Sequence, residues 1–166
     1  MANKEYPIND DGLVTSAEKL DTTKENAIIK MKTTYYGQDE DDETELITKG
    51  IYRKKGNISQ ILYQDSEATG FYDCETKLTA HGNEFVSILR RGNKVGSDLM
   101  VKCDKKLYSK YDTPMGSICI GIMGDQIDNQ FNENGGRLHM KYTIDMNGSF
   151  VSENEIDIIV ELIPTV

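Results

Sequence analysis

The sequence predicts an all-β protein, a closed antiparallel up-and-down barrel of about ten strands. The first observation behind this is a pair of strictly alternating apolar runs, Leu138, Met140, Tyr142, Ile144, Met146 and Ile156, Ile158, Val160, Leu162, on either side of Asn147-Gly148. Period-two alternation flanking Asn-Gly is the pattern of two half-buried strands joined by a tight turn. The second is that the rest of the chain repeats this texture, with short alternating runs separated by glycine-bearing turns. The third is topological. So many strands cannot stay in one flat sheet, and closure removes both exposed edges. An up-and-down barrel needs only hairpins, whereas a jelly roll or immunoglobulin sandwich, the alternative, needs long crossovers for which the chain has little room.

Residues 1–26 form a polar leader rich in Asp, Thr, Lys and Glu, expected to be flexible. A short helix from Thr15, with Thr15-x-x-Glu18 as capping box and Leu20 as its apolar contact, is the weaker alternative. Residues 27–166 are expected to make a single domain. The first strand, 27–36, sets Ile29, Met31, Thr33 and Tyr35 against Lys30, Lys32 and Thr34. The acidic run Asp39-Glu40-Asp41-Asp42-Glu43 reads as a solvated loop, because adjacent carboxylates repel and cannot be buried unpaired. Strands over 44–54 and 58–64 turn at Lys55-Gly56-Asn57. The fourth, 70–79, places Tyr72, Cys74, Thr76 and Leu78 in one phase, and His81-Gly82-Asn83 turns the chain into 84–91, with Val86, Ile88 and Arg90 together. Strands over 98–104 and 107–112 follow. Pro114 cannot donate to a ladder and marks the boundary before 115–130, whose centre, Ile118 to Met123, is nearly all apolar. Asn132-Glu133-Asn134-Gly135-Gly136 leads into the closing pair, where Arg137, His139 and Lys141 take the outward phase.

At 166 residues the chain fits one domain able to bury a self-sufficient core. With 37% hydrophobic and 28% charged residues it lacks the long apolar run of a membrane-spanning helix. Met1 to Ile8 lacks the basic and apolar regions of a secretory signal, so a cytoplasmic location is expected. A net charge of -9 and a pI near 4.7 repel phosphate backbones. The basic stretches Arg53-Lys54-Lys55 and Lys102 to Lys110 have no interleaved aromatic platform, which argues against nucleic acid as a partner. Cys74, Cys103 and Cys119 match no zinc or redox spacing and read as reduced core thiols. His81, in a turn, and His139, on a polar phase, lie far apart, so no zinc site is expected.

Motifs of catalysis fare no better. Gly116 to Gly124 has the wrong spacing for a dinucleotide fingerprint and opens no helix. Gln130-x-Asn132-x-Asn134-Gly135 lacks the first aspartate of a calcium loop and has Lys141 where the bidentate glutamate belongs. Glu153 and Glu155 have nothing to separate their acidities, as paired acid and base work requires. No catalytic residue and no cofactor is expected, and the reading points away from an enzyme. The nine tyrosines suit strands whose rings lie against a barrel wall. One residue breaks its pattern: Arg90 shares a phase with Val86 and Ile88, so an inward face there demands a partner. It is either an internal ion-pair member, with Glu67 as a candidate partner, or an anchor for an anionic ligand group. Arg91 exchanges roles with it if a bulge shifts the register.

The ordered landmarks Thr48-x-Gly50-x-Tyr52, Tyr63 followed by Glu67-x-Thr69-Gly70, Val86-x-Ile88-x-Arg90-x-Gly92, Thr113-Pro114-x-Gly116, the Gly136 to Tyr142 strand and Asn154-x-Ile156-x-Ile158 resemble those of the YwiB-like family. These are small bacterial proteins with a calycin-like barrel and no established biochemical function. The resemblance spans residues 28–163; the leader and Arg91 depart from it. It implies no catalytic residues and an interior able to hold a small apolar molecule; with Arg90 read as an anchor, an anionic amphipathic ligand is the other expectation. The residues expected to contact such a ligand are Arg90, Glu67, Thr69, Tyr63, Tyr142 and Met140. The competing expectation is a side-chain-filled barrel that serves as a structural or interaction module.

Overall fold

The computed structural model describes residues 20–66, 74–92 and 96–164, and for 111–113 the backbone alone. A 3₁₀ turn, Thr22–Lys24, is capped by Asp21, whose carboxylate accepts from the Thr23 amide at 3.0 Å. Ten strands follow: β1 (Ala27–Gly37), β2 (Asp41–Lys55), β3 (Ile58–Gln64), β4 (Glu75–His81), β5 (Phe85–Arg91), β6 (Gly96–Lys102), β7 (Lys106–Thr113), β8 (Gly116–Asn129), β9 (Gly135–Met146) and β10 (Ser149–Leu162). Each pairs antiparallel with its sequence neighbour, and β1 also pairs with β10, from Ala27 against Leu162 to Gly37 against Ser152, closing the barrel. No helix among the described residues is long and apolar enough to cross a membrane.

The Asn147-Gly148 turn forms as its residues require. Both take positive φ, 52° and 83°, the geometry that matches the right-handed twist of the strands it joins. The alternation then sends Leu138, Met140, Ile156, Ile158 and Val160 into a continuous core with Ile29, Ile61, Leu78, Ile88, Leu99 and Ile122. Arg137 and Lys141 are exposed, while His139 sits half-buried on the outer face, its Nε2 3.2 Å from Glu155. Arg137 grips Asp157 through two bonds of 2.7 and 2.9 Å. Met146 and Leu162, at the strand ends, keep their phase but are exposed, because the core thins there.

The barrel is looser between β6 and β7, which pair only from Gly96 against Asp112 to Asp98 against Lys110. The end of β6 leans instead on β8, where the Asp104 amide donates to the Gly124 carbonyl at 3.1 Å. Gly124 makes this possible, since a Cβ there would lie 2.5 Å from the Lys102 carbonyl oxygen.

Several expectations need correction. β2 begins at Asp41, so Asp41, Asp42 and Glu43 are strand, not loop. Their side chains stay in water while their backbones pair with β1, and Lys32 reaches Glu43 at 3.3 Å. His81 is the last residue of β4 rather than a turn residue. Cys74 is fully buried and all three cysteines are free, but Cys119 lies exposed on the outward phase of β8, opposite Lys110, and Cys103 is intermediate. Only Cys74 is a thiol of the deep interior. On β3 to β5 the outward phase is buried as well: Gln60, Leu62, Thr79 and Ser87 are each at most 4% exposed. Leu20 contributes to this cover, lining a small crevice with Leu62, Lys77 and Leu89 while its amide donates to Glu75 at 3.3 Å. The start predicted for the fourth strand, and most of the leader, lie outside the described residues.

Candidate functional site

Up-and-down threading sends the β1–β2, β3–β4, β5–β6, β7–β8 and β9–β10 connections to one end of the barrel and the β2–β3, β4–β5, β6–β7 and β8–β9 connections to the other. The two ends are built differently. At the second, Phe131 packs inward, its ring in an edge contact with Tyr52 at a centroid distance of 5.6 Å, and the Tyr52 hydroxyl donates to the Asn132 carbonyl at 2.6 Å. Asn26 exchanges two bonds with the Tyr52 backbone, of 2.7 and 2.9 Å, and Asn129 binds Asn83 and the Gly82 carbonyl. Burial pushes the Tyr52 phenol above its usual pKa. This end is plugged.

At the first end the interior opens into a cavity of about 510 Å³. Its apolar wall comes from four strands, β1, β8, β9 and β10, and includes Met31, Ile118, Ile120, Ile144, Met146 and Ile156. Tyr35 and Tyr142 add aromatic surface, Ser152 and Asn154 form a hydrogen-bonded polar strip with the Asn154 amide 2.9 Å from Ser152 Oγ, and Glu40 and Asp42 stand at the mouth. Such a volume is in the range that holds a small molecule, whose body needs apolar walls and whose orientation needs a few placed polar groups.

Arg90 also lines this cavity. The alternation on β5 holds without a bulge, so Arg90 is the inward arginine and Arg91 is exposed on the outside. The Arg90 Nε lies 3.4 Å from Asp65 Oδ2, with the two side chains 11% and 0% exposed, and Thr76 Oγ1 donates to the same carboxylate oxygen. Tyr63 lies alongside, fully buried, with its hydroxyl 3.6 Å from Met31 Sδ. Burial first, and the Asp65 charge second, push its phenol well above the ordinary tyrosine value, so it stays protonated as a donor. Ser97 faces Arg90 directly across the β5–β6 ladder; its Oγ is buried without a hydrogen-bond partner among the described residues.

The residues singled out from the sequence therefore divide. Arg90 and Tyr142 line the cavity, Tyr63 supports Arg90 from within the wall, and Met140 packs fully buried in the core rather than on the lining. Glu67 and Thr69 lie outside the described residues. The carboxylate beside Arg90 is Asp65, which the sequence reading missed although it continues the inward phase of Ile61 and Tyr63 by one period. Asp42 was missed in the same way: it continues the inward phase of Leu46 and Thr44 back into the acidic run.

Fold and site together define a closed ten-stranded up-and-down barrel, sealed at one end and hollow at the other. The chain belongs to the family described as a domain of unknown function (DUF1934), whose model matches residues 29–158. It is similar to the crystal structure of the ywiB protein from Bacillus subtilis, with a TM-score of 0.70 and 17% identity over 85% of this chain and 94% of that one. At that identity the likeness shows a shared fold, and the YwiB-like resemblance read from the ordered landmarks is thereby supported in structure. No curated protein matches.

Proposed function

We propose that the protein binds a small apolar or amphipathic molecule in the cavity at its open end. The observation that carries this reading is the contrast within one barrel, in which the sealed half is packed with side chains while the other half leaves about 510 Å³ whose exposed wall is more apolar than polar. The body of the molecule lies against Ile118, Ile120, Ile144 and Ile156, and polar groups of the ligand meet Tyr142, Asn154 and the Arg90 wall. Exposed Met146 and Ile118 at the rim give an apolar molecule a path from water to the interior. A charged anchor is not required, because Arg90 already faces Asp65.

Native mass spectrometry of protein purified from its own host is the direct test, and a retained adduct is the expected result. Ile120→Trp, which fills the cavity from β8, should abolish that adduct while leaving the folded spectrum unchanged. An adduct that survives the filled cavity places binding elsewhere. A second reading, a docking module, is favoured by the exposed Met115, 98% exposed, and Phe150 at hairpin tips of the same end. Loss of self-association or of a partner on Met115→Ser, with no ligand retained by the wild-type protein, would select it.

A further inference from the structure

The charge pattern of the cavity bears on which ligands it accepts, an inference that rests on the cavity being the binding site. Arg90 is the single basic residue of the lining, and the fully buried Asp65 at 3.4 Å offsets its charge. An anionic head placed beside Arg90 would compete with that carboxylate instead of meeting an open cation. At the mouth the balance runs the other way. Glu40 and Asp42 both line the opening, and neither forms an ion pair among the described residues. Lys32, on the adjoining strand β1, is held on the outer face by Glu43 at 3.3 Å. Tyr35 and Tyr142 present aromatic surface to the same space, a surface that attracts cations and not carboxylates.

We propose that the cavity selects amphiphiles with a positively charged head, of the alkylammonium class, over those with carboxylate or phosphate heads, through Glu40 and Asp42 at its mouth. The apolar tail enters toward Ile120 and Ile156 and the head remains at the rim, where it keeps part of its hydration. The selection is electrostatic and sits near water, so it weakens with added salt.

The experiment compares three single-tailed dodecyl amphiphiles, a trimethylammonium, a maltoside and a carboxylate, each below its micelle concentration, by calorimetric titration of the full chain. At low salt the trimethylammonium should bind about ten-fold more tightly than the carboxylate, with the maltoside between them, and high salt should compress the series. Glu40→Gln with Asp42→Asn should flatten the series, bringing the trimethylammonium and the carboxylate to within about two-fold of each other. Equal binding of all three by the wild-type protein overturns the charge inference and leaves the cavity reading standing, as does tightest binding of the carboxylate. Failure of all three to bind overturns both.

Discussion

The two ends of this barrel are made from the same ladder and differ in what their hairpins do with spare hydrogen-bonding groups. At the sealed end asparagines spend them inward: Asn26 clasps the Tyr52 backbone, Asn129 binds Asn83 and Gly82, and the Tyr52 hydroxyl fastens the Asn132 carbonyl over the Phe131 ring. At the open end the turns bond within themselves or sideways along the rim. The Gly148 amide binds Asp145, the Glu43 amide binds its neighbour Asp42, and the Gln38 amide reaches the Phe150 carbonyl, leaving the space between them empty. Packing is therefore concentrated at one end and open volume at the other, a division that follows from packing density.

That division can be broken most forcefully at Phe131. Phe131→Ala removes the plug and should cost about 3 kcal/mol in urea unfolding, with the surrounding backbone too tightly bonded to collapse into the gap. A loss much below 1 kcal/mol would mean that the sealed end does not anchor the barrel. The Arg90–Asp65 pair tests the boundary between the halves. Asp65→Leu alone should cost about 2 to 3 kcal/mol by leaving a mostly buried guanidinium without its carboxylate, whereas Asp65→Leu with Arg90→Met should recover most of it. A double variant as unstable as the single one would show that the pair is not the relevant unit. At the rim, Met146→Ser should change stability by no more than about 0.5 kcal/mol, since the side chain is already 39% exposed, while weakening ligand retention in the native mass spectrum.

The smallest effect is a pH dependence. Burial lowers the pKa of His81 below its ordinary 6.5, so the folded state resists protonation that the unfolded chain accepts. Its contribution is neutral above 6.5 and becomes destabilising as pH falls through 6.5 toward the lowered native value, below which it levels off. His81→Gln should flatten that slope in thermal melts between pH 7 and pH 5, as measured against the wild-type protein. An unchanged slope would show that His81 does not carry the dependence; Asp157 and Asp145, held below the usual range by their hydrogen bonds to Arg137 and Lys106, act only at lower pH, where the carboxyls of the unfolded chain begin to protonate.

The barrel was legible where one face of a strand is wet. β9 and β10 show clean alternation, and their faces could be assigned from period alone. β3 was less informative: in Ile61-Leu62-Tyr63 the apolar residues are consecutive because both faces are buried, and period then carries no signal about direction. The acidic run misled for the opposite reason. Carboxylates argue for solvent, and an exposed strand edge meets that demand as well as a loop does. Arg90 stood out as a guanidinium in an apolar phase, but Asp65 was overlooked although the alternation of Ile61 and Tyr63 runs on to it, and the candidate partner Glu67 lies outside the described residues.

The amino-acid sequence by itself determined the strand periodicity, the Asn147-Gly148 reversal, the hairpin connectivity and the inward placement of Arg90, because each depends on neighbours one or two residues away. Only the tertiary structure decided that one end is plugged and the other hollow, that Asp65 offsets Arg90, and that Glu40 and Asp42 meet at the cavity mouth. Those facts depend on how much volume the side chains of ten strands leave after closure, and on which groups that closure brings together across tens of residues of chain. A linear pattern specifies which way each side chain points and leaves unspecified what it meets.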